Sequence, residues 1–542
     1  MGLFTFSGKI VDVVAGLVFP GTITVNNGRI ESIVEDAGVF GPLIVPGLID
    51  SHIHIESSML VPSEFARIAV IHGTTAVIAD PHEIANVVGK EGVRFMIENG
   101  SRVPFNFYFG APSCVPATSF ESAGAVLGPN EVDEMLSWPE IKFLSEMMNF
   151  PGVLHDDEDV MAKIASAKKY HKKIDGHAPG LMGEELAKYA SAGISTDHES
   201  FTKEEALDKI KNGIKILIRE GSAAKNFNEL IDLIADYPEM IMFCSDDKHP
   251  DDLMEGHINL LVKRAVSAGY NFMDVIRACT LNPVKHYNLD AGLLQVGDKA
   301  DFILVDNAEE FNITSTYVSG NLVAQEGLSL IDPVTIVPIN NFNPLMPTPE
   351  DLKIKAESKH IKVIRAYNGQ LVTSTVHDEA TITDGFIESD PDRDILKMVV
   401  LNRYKSSKPA IAFISGFGIK QGAIASTVAH DSHNIIALGT DDDSILKAIE
   451  LVIKNKGGIS LYTVDENYSL SLPIAGLMSD KEGIIVARQY ELINNAVHKA
   501  GSYLDAPFMT LSFMSLLVIP ELKLSDKGIF DSTTFKYTKL FE

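Results

Sequence analysis

Gly47-Leu48-Ile49-Asp50-Ser51-His52-Ile53-His54-Ile55-Glu56 is the stretch whose reading decides the fold. Its polar residues at 50, 52, 54 and 56 are interleaved with Ile49, Ile53 and Ile55, the period of two of a strand rather than the period of a helix. Both histidines therefore share one side. Two imidazoles two residues apart on a pleated strand can bind one metal ion from one direction. Two hydrogen-bonded core histidines would give the same short pattern, so the choice rests on the rest of the chain.

Outward from this strand, the text after Pro46-Gly47 alternates strands with helical stretches, as in parallel βα units. Eight candidate strands follow: Leu48 to His54, Thr75 to Ala79, Phe105 to Phe109, Lys142 to Glu146, Lys173 to His177, Gly193 to Asp197, Ile214 to Arg219 and Ile241 to Ser245. Eight closes a (β/α)8 TIM-like barrel, here over 47–287, with Phe272 to Tyr287 as its last helix. Before it lie short strands, with Asn26-Asn27-Gly28 reading as a tight hairpin, and beyond it Phe302-Ile303-Leu304-Val305 returns to short strands. The simplest arrangement joins 1–46 and 288–340 in a discontinuous small β domain. Pro-rich text from Asp332 to Pro349 reads as a linker, followed by a C-terminal α/β domain over 350–542. There, Asp441-Asp442-Asp443-Ser444 reads as a helix start.

The chain of 542 residues exceeds what one hydrophobic core supports, and 45% hydrophobic with 22% charged residues is ordinary globular composition. A net charge of -27 argues against nucleic acid or an anionic membrane surface as partner. Three scattered cysteines, Cys114, Cys244 and Cys279, are odd in number and fit a reducing cytoplasm better than a disulfide framework. Met1 to Lys9 has no basic segment leading into an apolar one, so no signal peptide is expected, and no apolar run approaches the ~20 residues of a membrane span.

Active sites of such barrels lie at the C-terminal ends of the strands, and here those ends carry ligands. Strand one ends with His52, His54 and Glu56, strand two runs into Asp80-Pro81-His82-Glu83, and strand four ends on Glu146. Strand five ends on His177, strand six on Asp197-His198-Glu199, and strand eight on Asp246-Asp247. Sixteen histidines in 542 residues would rarely gather at these ends by chance.

With those residues in place, the first 325 or so residues resemble the amidohydrolase superfamily of metal-dependent hydrolases. The resemblance implies that His52, His54 and Asp246 bind one metal, His177 and His198 a second, and Glu146 bridges them, where many relatives use a carbamylated lysine. A narrower similarity, to bacterial-type adenine deaminases, covers the whole length. It rests on Pro46 to Met59, Asp80-Pro81-His82-Glu83-Ile84-Ala85-Asn86-Val87, Ala111-Pro112-Ser113-Cys114-Val115-Pro116-Ala117-Thr118 and Glu146-Met147-Met148-Asn149. Gly176-His177-Ala178-Pro179, Ser245-Asp246-Asp247-Lys248-His249-Pro250 and Ala429-His430-Asp431-Ser432-His433-Asn434 complete it.

That similarity implies hydrolytic deamination of adenine to hypoxanthine and ammonia, in purine salvage, by a small-molecule enzyme that forms a homo-oligomer. Two divalent ions, Mn2+ first with Fe2+ or Zn2+ as alternatives, would share the hydroxide that attacks C6. Asp246 is the expected proton relay to the amine, and Glu56 and Glu83 are the two candidates to protonate N1, each also readable as a further ligand or a partner of one. Cys114 is read as packing a loop, Arg219 and Glu220 as contacting purine edges or each other, and His430 and His433 as a lid, another metal site or a turn. Competing functions are another amidohydrolase acting on a cyclic amide or aminated heterocycle, and a non-catalytic barrel. The H-x-E and P-C-x-x-C signature of the zinc cytidine-type deaminases is absent.

Overall fold

The computed structural model describes residues 2–541. Strands Phe4–Asp12, Leu17–Asn26, Arg29–Glu35 and Leu43–Pro46 join Phe302–Val305, Ile313–Val318, Asn321–Gln325 and Leu328–Ser329 in one eight-stranded sheet. The seam is the antiparallel register Phe302 to Pro46 through Val305 to Leu43, so residues some 250 apart in sequence close one layer. The hairpin forms as its text suggests, with Asn27 and Gly28 both left-handed at φ 49° and 79°, the backbone that matches the twist of flanking strands.

Eight parallel strands follow. Leu48–Ile53, Thr74–Ala79, Asn106–Ala111, Ile141–Met147 and Lys173–Gly176 make one sheet, and Thr196–Asp197, Lys215–Arg219 and Ile241–Cys244 another. Two single parallel bridges, Ile174 with Ile194 and Ile53 with Asp246, join them into a closed ring. Each expected strand is present, though the sixth shrinks to Thr196–Asp197 with one bridge before it. Gly47 opens the first strand where a side chain has no room: a Cβ there would lie 2.1 Å from the Thr75 hydroxyl. The expected last helix is two, Phe272–Ala278 and Leu281–Tyr287, because Pro283 has no N–H to continue the ladder from the first and is tolerated only near a new start.

The C-terminal residues build a mixed eight-stranded sheet, with Ala410–Ser415, Leu396–Leu401, Ile435–Gly439 and Ala423–Ser426 at its centre. Helix Asp442–Lys454 covers one face, its start capped by Asp441, whose side chain accepts from the Ser444 amide at 2.8 Å. The Pro-rich stretch before this region has no helix or strand between 332 and 348, yet it is fastened rather than free. The Asn343 amide donates to the Arg403 carbonyl at 2.7 Å, Arg102 donates to the Thr335 carbonyl at 2.7 Å, and Ile336 and Ile339 pack on the core. One continuous apolar cluster contains Leu60, Val61 and Phe65 of the barrel side together with Leu477, Met478 and Tyr490 of the C-terminal side. The C-terminal layer is thereby pressed onto the barrel face that carries the polar strand ends. No helix among the described residues is long and apolar enough to cross a membrane.

Candidate metal centre

Barrel closure itself brings the first expected ligands together. The Asp246 amide donates to the His52 carbonyl at 2.9 Å and the His54 amide to the Asp246 carbonyl at 3.2 Å, so strand one and strand eight meet where these side chains emerge. Asp246 holds a left-handed backbone, φ 56°, which turns its carboxylate inward beside both rings. Its Oδ1 lies 3.5 Å from His52 Nε2 and 3.2 Å from His54 Nε2.

Glu146 stands between that trio and the other two histidines. Its Oε1 is 3.4 Å from His54 Nε2, while its Oε2 is 2.8 Å from His177 Nδ1 and 3.2 Å from His198 Nε2. The six residues expected as ligands are thus gathered at one end of the barrel, all buried except the half-buried His177. Ligand atoms of His52, His54 and Asp246 lie within 4.8 Å of one another, as do those of His52, Glu146 and His198, and those of His177, His198 and Glu199. Neither ring nitrogen of His52 has a hydrogen-bond partner among the described residues, although the ring is fully buried. A buried imidazole with both nitrogens idle is costly, and a divalent cation answers it. The donor set of imidazoles and carboxylates suits such an ion.

Charge is arranged to keep the carboxylates ionised. Burial alone would raise Asp246, but the Arg219 guanidinium and the surrounding imidazoles hold it well below the usual carboxylate range. Glu146 is likewise held low against burial by His177, His198 and His54. Arg219, fully buried, bridges Glu199 and Asp246, the latter at 2.6 Å. The expectation that Arg219 pairs with Glu220 is corrected accordingly: Glu220 turns outward to Arg264 at 3.0 Å because consecutive strand residues face opposite ways.

With this geometry in view, comparison with known proteins is direct. Residues 43–323 match the Amidohydrolase family, and residues 370–536 match the Adenine deaminase C-terminal domain. Adenine deaminase of Sulfurovum sp. (strain NBC37-1) is 53% identical over 528 residues, covering 97% of this chain and 98% of that protein. The chain belongs to the adenine deaminase family. Adenine deaminases of Salinibacter ruber, 50% identical, and Methanosarcina mazei, 52% identical, each align over 99% of both chains.

The two matched regions of the chain meet at a second cluster, which the expected ligand set omits. Glu83 begins the helix His82–Val88 after strand two, and its two carboxylate oxygens each meet an imidazole from the C-terminal layer, Oε1 that of His430 and Oε2 that of His433. His82 joins the clusters, with Nε2 3.5 Å from Glu83 and Nδ1 3.6 Å from Glu146 and 3.1 Å from Asp80. Asp80, His82 and Glu199 are site residues that the resemblance did not assign; their place at strand ends two and six was the available signal.

The two candidate proton donors now separate. Burial would raise Glu83, but His430, His433 and His82 hold it well below the usual carboxylate range, the reverse of what a donor needs. Glu56 has one oxygen receiving the Ile84 amide at 3.2 Å and the other without a partner, and burial, with Glu83 nearby, pushes it up to about 7. A cavity of about 1530 Å³ opens beside the centre, reaching from His177 and Glu199 past Cys114 to Tyr404 and Val518 of the C-terminal layer. Cys114 is buried in that wall with the Ser113 hydroxyl donating to its sulfur at 3.2 Å, in keeping with a packing role.

Proposed function

We propose that the chain converts adenine and water to hypoxanthine and ammonia. The observation that carries this reading is the placement of Glu146 between His54 on one oxygen and His177 and His198 on the other, in a chain aligned end to end with adenine deaminases. His52, His54 and Asp246 would hold one divalent ion, His177 and His198 a second, with Glu146 shared and Mn2+ as the preferred metal. When bound, such ions lower the pKa of water towards neutrality and supply a nucleophile at pH 7.

The side chains do the rest. Water adds at C6, Asp246 takes its proton and passes it to the exocyclic amine, and Glu56 protonates N1, whose electrons accept the addition. The C6–N bond then breaks and ammonia leaves, the proton left on the C6 oxygen returns to Glu56 as the carbonyl forms, and N1 remains protonated in hypoxanthine. Glu56 is preferred over Glu83 for geometry: it follows His54 by two residues and keeps one buried oxygen free, while both Glu83 oxygens are occupied. We propose the division 1–46 with 288–340, 47–287, and 350–542 as three folding units, assembled as a homo-oligomer.

The test is hypoxanthine formation from adenine by chelator-stripped chain with and without added Mn2+, beside adenosine and a cyclic amide. Metal-dependent turnover of adenine alone is expected. Two metals bound per chain with no adenine turnover would overturn the substrate.

A further inference from the structure

Of the two C-terminal imidazoles on Glu83, His430 is the one with a nitrogen left over. Its Nδ1 meets Glu83 Oε1, its ring stacks on Phe513 with centroids 4.4 Å apart and an interplanar angle of 19°, and its Nε2 is buried with no hydrogen-bond partner. The backbone around it is pinned, with the His430 amide donating to the Ser512 carbonyl at 3.0 Å and the His433 amide to the Ala429 carbonyl at 2.7 Å.

A metal ion held by Glu83, His430 and His433 is the first alternative, since their ligand atoms lie within 4.8 Å. The tautomer of His433 opposes it. Its Nδ1 accepts from the Ala429 amide at 3.2 Å, so in a neutral ring the proton sits on Nε2, the nitrogen that faces Glu83, and that nitrogen has no lone pair for a metal. Burial lowers His433 to about 4, which keeps the ring neutral. Glu83 is therefore an acceptor of two N–H bonds, and it orients His430 as a carboxylate orients a catalytic imidazole, through Nδ1 with Nε2 free.

The ring is linked to the expected metal centre: Glu83, bound at its Nδ1, lies 3.5 Å from His82 Nε2, and His82 Nδ1 lies 3.6 Å from Glu146. Asp247, which accepts from the Ser57 hydroxyl at 2.5 Å, lies within electrostatic reach of both His54 and His430. We propose that His430 is a substrate-contacting residue delivered to the barrel mouth by the C-terminal layer, that its Nε2–H donates to a purine ring nitrogen other than N1, and that Glu83 is its positioning residue. This rests on the reading that 6-aminopurines are the substrates.

The experiment uses the metal-loaded full chain and measures dissociation constants for adenine analogues in which N3, N7 or N9 is replaced by carbon, with metal content recorded alongside. His430→Ala is expected to weaken the parent base about 10- to 100-fold, as for a lost buried hydrogen bond. That penalty should vanish for the one analogue lacking the contacted nitrogen, be partly restored in His430→Gln, and recur more weakly in Glu83→Gln, with metal content unchanged. An equal penalty for every analogue makes the cluster a mere clamp and overturns the proposal. Loss of one metal equivalent in His430→Ala overturns it in favour of a metal site. Should the parent chain turn over adenine normally, either failure leaves the substrate reading standing; a parent chain that binds no 6-aminopurine overturns both.

Discussion

Glu146 and Glu83 each stand at the centre of a buried cluster of imidazoles, and the two clusters differ in what their carboxylates have been given to do. Around Glu146, His54, His177 and His198 come from strand ends of one barrel, and His52 beside them keeps both nitrogens idle. Around Glu83, two rings come from a loop some 350 residues later, and both carboxylate oxygens are filled by N–H donors. The first arrangement offers lone pairs suited to a cation. The second closes on itself, fastening one layer to another and leaving only His430 Nε2 open.

That contrast is best broken at Glu146. Replacing it with glutamine removes the shared negative charge from among four imidazoles, and the expected result is loss of both metal equivalents together with turnover, read by elemental analysis and hypoxanthine formation; retention of two metals would dissolve the distinction between the clusters. Asp246→Asn comes next, with kcat falling about 10²- to 10⁴-fold while some metal stays bound, as for removal of a proton relay. Near-parental turnover would take that role away from Asp246.

Glu83→Gln should behave differently from either. Metal content stays at the parental level while stability falls by about 1.5–3 kcal/mol, the worth of a hydrogen bond to a charged group, as measured by denaturant unfolding. A pH-dependent effect sharpens the same point. His433 is held near 4 in the fold against an ordinary 6.5, so between those values the unfolded chain binds a proton that the folded chain refuses. Stability therefore declines as pH falls from about 6.5 to 4, and His433→Gln should flatten that part of the decline; parallel slopes for the two proteins would remove His433 from the account.

Much of the barrel was legible because its strands announce themselves by period and because strand ends are where such barrels keep their chemistry. His52, His54, Glu146, His177, His198 and Asp246 could each be picked out one strand at a time. Arg219 could not be assigned in that way, since its partners Glu199 and Asp246 lie on the strands to either side and only closure brings all three together. The Pro-rich stretch reads as a linker for a sound local reason, missing N–H donors, yet its anchoring to Arg403 and Arg102 depends on surfaces far away in sequence.

By itself the sequence determined the eight strands, the hairpin at Asn27-Gly28, the helix start at Asp441 and the set of side chains at the barrel's ligand-bearing end. All of these follow from local periodicity and backbone preference. Only the tertiary structure supplies what favours Glu56 over Glu83 as the proposed donor, and what supports the proposed reading of His430 and His433. A carboxylate's role depends on whether its lone pairs are already taken, and the rings that take those of Glu83 arrive from another layer, pressed into place by the apolar core the two layers share.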